Sequence, residues 1–560
     1  MRFPLFIIIY FLGIYLGYAQ KDISVAENIV NNRGEVYISI DINNVESYKK
    51  VLKKLSFDKS QEGRVFFYAN RSGLDAINNS EIVYTVEPIP SMQRSLLMSN
   101  SLTDFITNWD SYPTYQQYDS LMHSFAANYS NLCKLHVLGT LNSGRKIFAV
   151  QLGDNVSQNE NEVKFLYTST MHGDEVTGYI MMLRLINYLL ENYATDLQVQ
   201  LLMNNIDIWI NPLANPDGTY YGGNSTVYGA TRYNANSVDI NRNFPDPEDG
   251  LHPDNNSYQQ ETQIFMALAD SVQFNMSANL HGGSEVVNYP WDTWSKLPAD
   301  NSWWINVSKK FADSAQFYSP PGYMTKFGTG YVNGYQWYSI CGGRQDYMNF
   351  YKHCRELTLE LSNTKTPYAD TLPYYWDYLK HSLLNYLQDA MVGIQGQTID
   401  SVTHFAVKSK LTVLNHDIDS SEVYSNDSGY YYRPIASGTY DLQFSAPFYY
   451  SKTIYGVSIN QDSILLLNVE LVPKPNAISE VGGDVFLDIY PNPAMDILFI
   501  KSDTEIKNIT LYSIDGKDIS HWKNNYSKNM SLKISHFSNG IYYIKVETVK
   551  HSIIKKLIIE

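Results

Sequence analysis

The feature that most constrains this chain is the order strand, helix, strand between residues 164 and 210. Lys164-Phe-Leu-Tyr-Thr168 is an apolar strand pattern, Val176 to Tyr193 has amphipathic helical spacing, and Ile206-Asp-Ile-Trp-Ile210 is a second buried strand. Alternation of this kind commits a segment to an α/β fold, a mixed and largely parallel sheet flanked by helices. The pattern extends over residues 105–392. Ligands of such sheets gather at the carboxyl ends of the strands, so the loop after residue 168 is where chemistry is expected.

The flanking segments differ in kind. Met1-Arg2 followed by an apolar run from Leu5 to Gly17 and by Gly17-Tyr18-Ala19 predicts a signal peptide over 1–19. The run is shorter than the roughly 20 residues a membrane span needs, and no later segment is long and apolar enough. Residues 20–100 predict a small α+β unit, with strands at Glu35–Ile40, Arg64–Tyr68 and Ile82–Val86, helical spacing from Val45 to Leu55, and a linker from Pro88 to Ser101. Residues 393–473 hold short alternating strands and turns such as Asn426-Asp427-Ser428-Gly429, which predicts a β-sandwich. A linker, Pro473 to Gly483, leads to another all-β stretch, 484–560.

Charge and cysteine content narrow the function. Lys+Arg number 42 against 57 Asp+Glu, and a net charge of −15 argues against nucleic acid or anionic lipid as partner. The three cysteines, Cys133, Cys341 and Cys354, leave one Cys341–Cys354 bridge conceivable, with Cys133 a buried thiol.

His172-Gly173-Asp174-Glu175 places a His and a carboxylate three residues apart at the start of a helix, a donor pair suited to Zn²⁺. A third ligand is needed, and His281 in Asn279-Leu-His281-Gly-Gly283 is the candidate. Further motifs follow in order: Asn215-Pro-Asp-Gly218, Thr231-Arg-Tyr-Asn-Ala-Asn-Ser-Val-Asp-Ile-Asn241-Arg242, Tyr338-Ser-Ile-Cys-Gly-Gly-Arg344-Gln-Asp346 and Leu357-Thr-Leu-Glu360-Leu-Ser362. With them the chain resembles the zinc carboxypeptidase family, in particular its N/E subfamily, over residues 110–392. The step from Gly342 to Glu360 matches the family's spacing, and 393–473 resembles that subfamily's transthyretin-like domain.

The resemblance implies one Zn²⁺ held by His172, Glu175 and His281, with Glu360 as general base and Arg232 stabilising the oxyanion. It implies that Asn241 and Arg242 bind a substrate's C-terminal carboxylate and that Tyr338 closes over the substrate. Asp292 stands where the subfamily selects C-terminal Lys or Arg, and Gln345 fits the same pattern. The implied activity is release of single residues, Lys or Arg, from C-termini of peptides or proteins. One departure is Arg344, where the subfamily carries Met, because a cation there is able to neutralise Asp292. A broad or hydrophobic preference is then the alternative, and a silent relative acting in surface binding or adhesion is a further one.

Residues 20–100 have no counterpart in the N/E pattern, whereas the sister A/B subfamily has a covering pro-segment of similar length. An inhibitory or chaperone-like unit and a plain accessory domain are both open. Ile489-Tyr-Pro-Asn-Pro493, Asp515-Gly-Lys517 and Asn539-Gly-Ile-Tyr-Tyr543 resemble the C-terminal sorting domain of proteins exported by the type IX secretion system. That likeness implies contact with the type IX machinery, passage over the outer membrane, and a secreted or surface-attached product.

Overall fold

The structure is a computed structural model that describes residues 22–44, 49–158, 160–474, 487–523, 527–549 and 552–560. The expected signal peptide and most of the 473–483 linker lie outside these residues.

A sheet of eight strands organises the middle of the chain. Its order is Tyr331–Asn333, Ser284–Tyr289, Arg355–Ser362, Met276–His281, Val163–Ser169, Ile206–Asn211, Lys146–Leu152 and Cys133–Thr140. The four strands from Arg355–Ser362 to Ile206–Asn211 run parallel, and antiparallel pairings begin on either side of them. The parallel block is the part buried on both faces, as its apolar sequence requires. Phe165 and Tyr167 enter a large core that includes residues of the helices Tyr115–Asn128, Thr177–Asn192, Asn301–Phe317 and Leu372–Asp389. Leu166, on the other face, packs with Phe265 and Leu268 of Gln260–Val272 and with Tyr347 and Met348 of Arg344–Lys352. This is a three-layer α/β arrangement.

Before it, the antiparallel strands Ser56–Gln61, Arg64–Ala69, Val36–Asp41 and Thr85–Val86 form one sheet. Helices Ile23–Arg33 and Arg71–Asn78 bury Ala26, Val30, Leu74 and Ile77 against Val36, Ile38 and Phe67. The helix expected from Val45 is described only as Lys49–Leu52.

Between residues 393 and 471 two four-stranded sheets share one core, with Ile394, Tyr431 and Val469 from one and Leu411, Leu442 and Phe444 from the other. The last described segment is a second sandwich, three strands on four, around Leu498, Ile500, Ile544 and Val546. All three thiols are free, so the Cys341–Cys354 bridge is not formed. Cys354 lies instead 3.2 Å from Ser277 Oγ.

A buried ion network joins the 393–471 sandwich to the central layers. Arg433 donates two parallel bonds of 3.0 Å to the Asp300 carboxylate and a third, of 2.6 Å, to Asp417. Arg355, the first residue of its strand, donates to Asp300 at 2.8 Å. Arg433 is fully buried, so removing it takes the shared guanidinium from Asp417 and leaves Arg355 as the one arginine on Asp300. Arg433→Met is expected to cost about 3–5 kcal/mol, read as a lower midpoint of thermal unfolding. An unchanged midpoint would show that the network contributes nothing net.

Candidate active site

The loop after strand Val163–Ser169 turns back at once, and Thr170 takes a positive φ of 61°. His172 and Glu175 sit in this turn, just ahead of helix Thr177–Asn192 rather than on it. Gly173 is required there, because a Cβ would lie 2.4 Å from the backbone carbon of Gly218. His281 ends the neighbouring strand Met276–His281, and the parallel register sets Glu360 directly beside it.

These elements bring His172 Nδ1 to 3.1 Å from His281 Nδ1. Glu175 reaches His172 Nδ1 at 3.0 Å through Oε1 and His281 Nδ1 at 2.8 Å through Oε2. The three donors lie within 4.8 Å of one another, the set of two imidazoles and a carboxylate that suits Zn²⁺ with a position left open. Glu360 Oε2 is buried with no protein partner, a free acceptor beside that donor set. Burial, reinforced by the Glu175 carboxylate, raises Glu360 above the ordinary carboxylate range, the direction that makes it a stronger proton acceptor.

Asp239 ties the site together. Its Oδ1 meets His172 Nε2 at 3.0 Å, and its Oδ2 accepts from Arg232 Nε at 3.0 Å. Against the cost of burial, Arg232 and His172 hold this carboxyl well below its usual range. Arg232 Nη1 also approaches Glu175 Oε1 at 3.4 Å. Lys365 caps the same oxygen at 2.6 Å. Neither Asp239 nor Lys365 is singled out by motif spacing. Asp239 lies inside the segment that ends in Asn241-Arg242, and the signal for it is the need of a metal-binding His for a partner on its second nitrogen.

The cavity is lined by His172, Glu175, Arg232, Asn241, Arg242, His281, Asp292, Tyr338 and Glu360, among others. Nine of the ten expected site residues are thus brought together. Asn241 Oδ1 accepts from the Arg344 N–H at 2.9 Å, which leaves its NH₂ as the donor free for a ligand. Asp292 is buried, with Oδ1 accepting from Asn288 Nδ2 at 2.9 Å, and burial lifts its carboxyl to about 6. Asp346 positions it by accepting the backbone N–H groups of Asp292 and Thr293, at 3.1 and 2.8 Å. Gln345 is the exception: it does not line the cavity and lies buried with both amide atoms unpartnered. Arg344 turns away from Asp292. Its guanidinium is held by Glu356 at 2.8 Å and by Thr168 Oγ1. The expected threat of neutralisation therefore falls on Glu356.

The N-terminal sheet is docked on this site. Glu35 accepts the backbone N–H of Arg232 at 2.9 Å, and Ser56 Oγ donates to Asp239 at 2.6 Å. Tyr68 Oη donates to Asp174 at 2.7 Å. Phe57 and Asp58 enter the cavity, where the Phe57 ring lies 4.7 Å from that of Tyr338 and Asp58 pairs with Lys365 at 3.2 Å.

A two-histidine, one-glutamate centre at strand ends, with a free carboxylate and arginines around it, defines a metal-dependent hydrolase type of site. Residues 118–382 match the zinc carboxypeptidase family, and residues 488–560 match a secretion system C-terminal sorting domain. Carboxypeptidase D of Mus musculus is 34% identical over 370 residues, covering 63% of this chain and 26% of that protein. Carboxypeptidase SOL1 of Arabidopsis thaliana is 31% identical, covering 61% and 69%, and carboxypeptidase M of Mus musculus is 31% identical, covering 59% and 76%. The chain belongs to the zinc carboxypeptidase family. It spans about a quarter of the length of carboxypeptidase D and more than two thirds of the other two relatives.

His172, Glu175 and His281 are the residues that would hold the family's zinc, and Asp239 would orient the first of them. Asp239→Asn is expected to weaken zinc binding about 10- to 100-fold in chelator competition. An unaltered affinity would remove Asp239 from the metal's support.

Proposed function

We propose that this protein is an exported zinc metallocarboxypeptidase that removes a single basic residue, Lys or Arg, from C-termini of peptides or proteins. The observation that carries this reading is the common cavity of the two histidines and Glu175, free Glu360, Arg242 and buried Asp292. An exopeptidase must hold a free carboxylate, and the planar guanidinium of Arg242 with the NH₂ of Asn241 suits it. Bound zinc would supply Lewis acidity and a water with pKa about 7. Glu360 would take that water's proton at its carboxylate and return it to the leaving amine. Arg232, steadied by Asp239, would set positive charge where the oxyanion develops. Asp292 would pair with the substrate's cationic side chain, and leaving a buried carboxylate unpaired disfavours other side chains. The pairing of Arg344 with Glu356 supports this by leaving Asp292 available.

The C-terminal sandwich would direct export through the type IX machinery, followed by release or attachment at the cell surface. The sandwich over 393–471 would serve as the transthyretin-like companion of the catalytic layers. The N-terminal unit would keep the enzyme latent, since with Phe57 and Asp58 in place the cavity volume is about 30 Å³, room for one or two waters.

Peptides differing only in a last residue of Lys, Arg, Phe or Glu test the chemistry by mass spectrometry. Loss of one Lys or Arg, abolished by chelator and reduced about 100- to 10,000-fold by Glu360→Gln, is the expected result. Release of Phe instead would discard Asp292 as selector, and no release at all would favour a silent binding protein.

Latency has its own test. Cleavage in the 88–101 segment should raise the rate, and no gain would make the unit a plain accessory domain. Glu35 adds a pH dependence. Burial, only partly offset by Arg33, raises its carboxyl from 4.5 to about 7. Its contribution to holding the unit is therefore complete below about pH 4.5 and lost as the pH rises through 7. Release of the cleaved unit should be faster at pH 8 than at pH 6, a difference that Glu35→Gln should flatten.

A further inference from the structure

At the Ser284 end of strand Ser284–Tyr289, four residues from the Asn288 that binds Asp292, the cavity is built around a carboxylate that belongs to the protein itself. Asp58 is buried there, with 6% of its side chain exposed. One of its oxygens, Oδ2, accepts from Tyr37 Oη of the N-terminal unit at 2.6 Å. The other, Oδ1, faces the catalytic layers and lies 3.2 Å from Lys365 Nζ. Gly283 lies between the two groups, in a backbone conformation that favours glycine. It has a φ of 112°, and a Cβ on it would stand 3.5 Å from Asp58 Oδ1 and 3.3 Å from Lys365 Cε.

A second cation waits at the same rim. Lys326 lies on the short turn Lys326–Gly328, with its Nζ 2.6 Å from Ser284 Oγ and 4.5 Å from the centroid of the Trp337 ring. Ser284 and Trp337 both line the cavity beside Gly283 and Asp58. Lys326 makes no ion pair among the described residues, although Glu360 and Asp58 are the carboxylates whose charge it feels most. The catalytic layers thus keep two ammonium groups and a side-chain-free position at the upstream end of the cleft. The released residue and its α-carboxylate belong at the other end, with Asn241, Arg242 and Asp292.

We propose that Gly283, Lys326 and Lys365 form a carboxylate-binding subsite that selects peptides with Asp or Glu one or two residues before the released one, and that Asp58 fills this subsite in the latent protein. The inference rests on the peptidase reading above and adds a substrate class to it: C-termini in which an acidic residue shortly precedes a basic one. It also gives the N-terminal unit a chemical means of hold, since its aspartate sits where the substrate's acid would. Substrate and unit then compete for one pair of ammonium groups. Lys326 is the discriminating member, because Lys365 is shared with Glu175 whereas Lys326 has no carboxylate of its own.

The test uses the full chain cleaved in the 88–101 segment and four peptides ending in Lys, with Glu or Gln one or two residues before it. We expect kcat/KM to favour Glu over Gln by about fivefold in at least one position, as a partly exposed charge pair allows. That ratio should fall toward one in Lys326→Met, return in Lys326→Arg, and shrink with added salt. A second measurement needs no cleavage: in the intact chain, Asp58→Asn should raise the basal rate, and Asp58→Glu should hold it down. A ratio near one in both positions for the unsubstituted protein, or one unmoved by Lys326→Met, would overturn the subsite while leaving the peptidase reading intact. Failure of every Lys-terminated peptide to lose its last residue would instead strike the peptidase reading itself.

Discussion

Most of this site is organised through one carboxylate. Asp239 is shared between His172 and Arg232, so the imidazole that would bind zinc and the guanidinium that would meet the oxyanion are set by the same two oxygens. Burying such a group is expensive unless every lone pair is used, and here the expense is met by charge-assisted bonds on both sides. The third side-chain partner, Ser56, comes from the N-terminal sheet. The proposed metal ligand, the proposed oxyanion donor and the covering unit therefore meet at a single residue. A disturbance at any of the three is felt by the others, because the carboxylate cannot rotate toward one without leaving another.

The same economy of charge recurs across the molecule. Arg344 is neutralised by Glu356, Lys365 by Asp58 and Glu175, and Arg433 by Asp300 and Asp417. Each of these cations is buried, and each is paired. Among the cavity's carboxylates, Asp292 and Glu360 have no cation within ion-pair reach among the described residues. Both are buried and both line the cavity, a placement that supports the substrate-facing roles proposed for them.

Much of this could be read from the chain before any coordinates. The apolar run 164–168 and the amphipathic stretch after it placed His172 and Glu175 at a strand end, because strand and helix periods are local properties. Glu360 and His281 were legible as motif residues, and the parallel register puts them side by side. Asp239 carries no signal of its own within the segment that ends in Asn241-Arg242, since its meaning lies in what it touches across the site. Arg344 reads as a hazard to Asp292 because it stands where the resembled subfamily carries Met. In the fold it lies against the sheet face its helix covers and pairs with Glu356, which spacing cannot reveal. Gln345 matched a pattern and yet turned into the interior. Phe57 and Asp58 left no trace at all, as docking of one unit on another has no short-range signature.

The fork between Arg433 and Asp300 has a mechanical meaning. Arg355 shares that fork and opens the strand that carries Glu360 five residues on. A load on the 393–471 sandwich would pass through these short bonds to the root of the strand that carries Glu360. The sandwich and Glu360 thus share one structural member, the strand Arg355–Ser362.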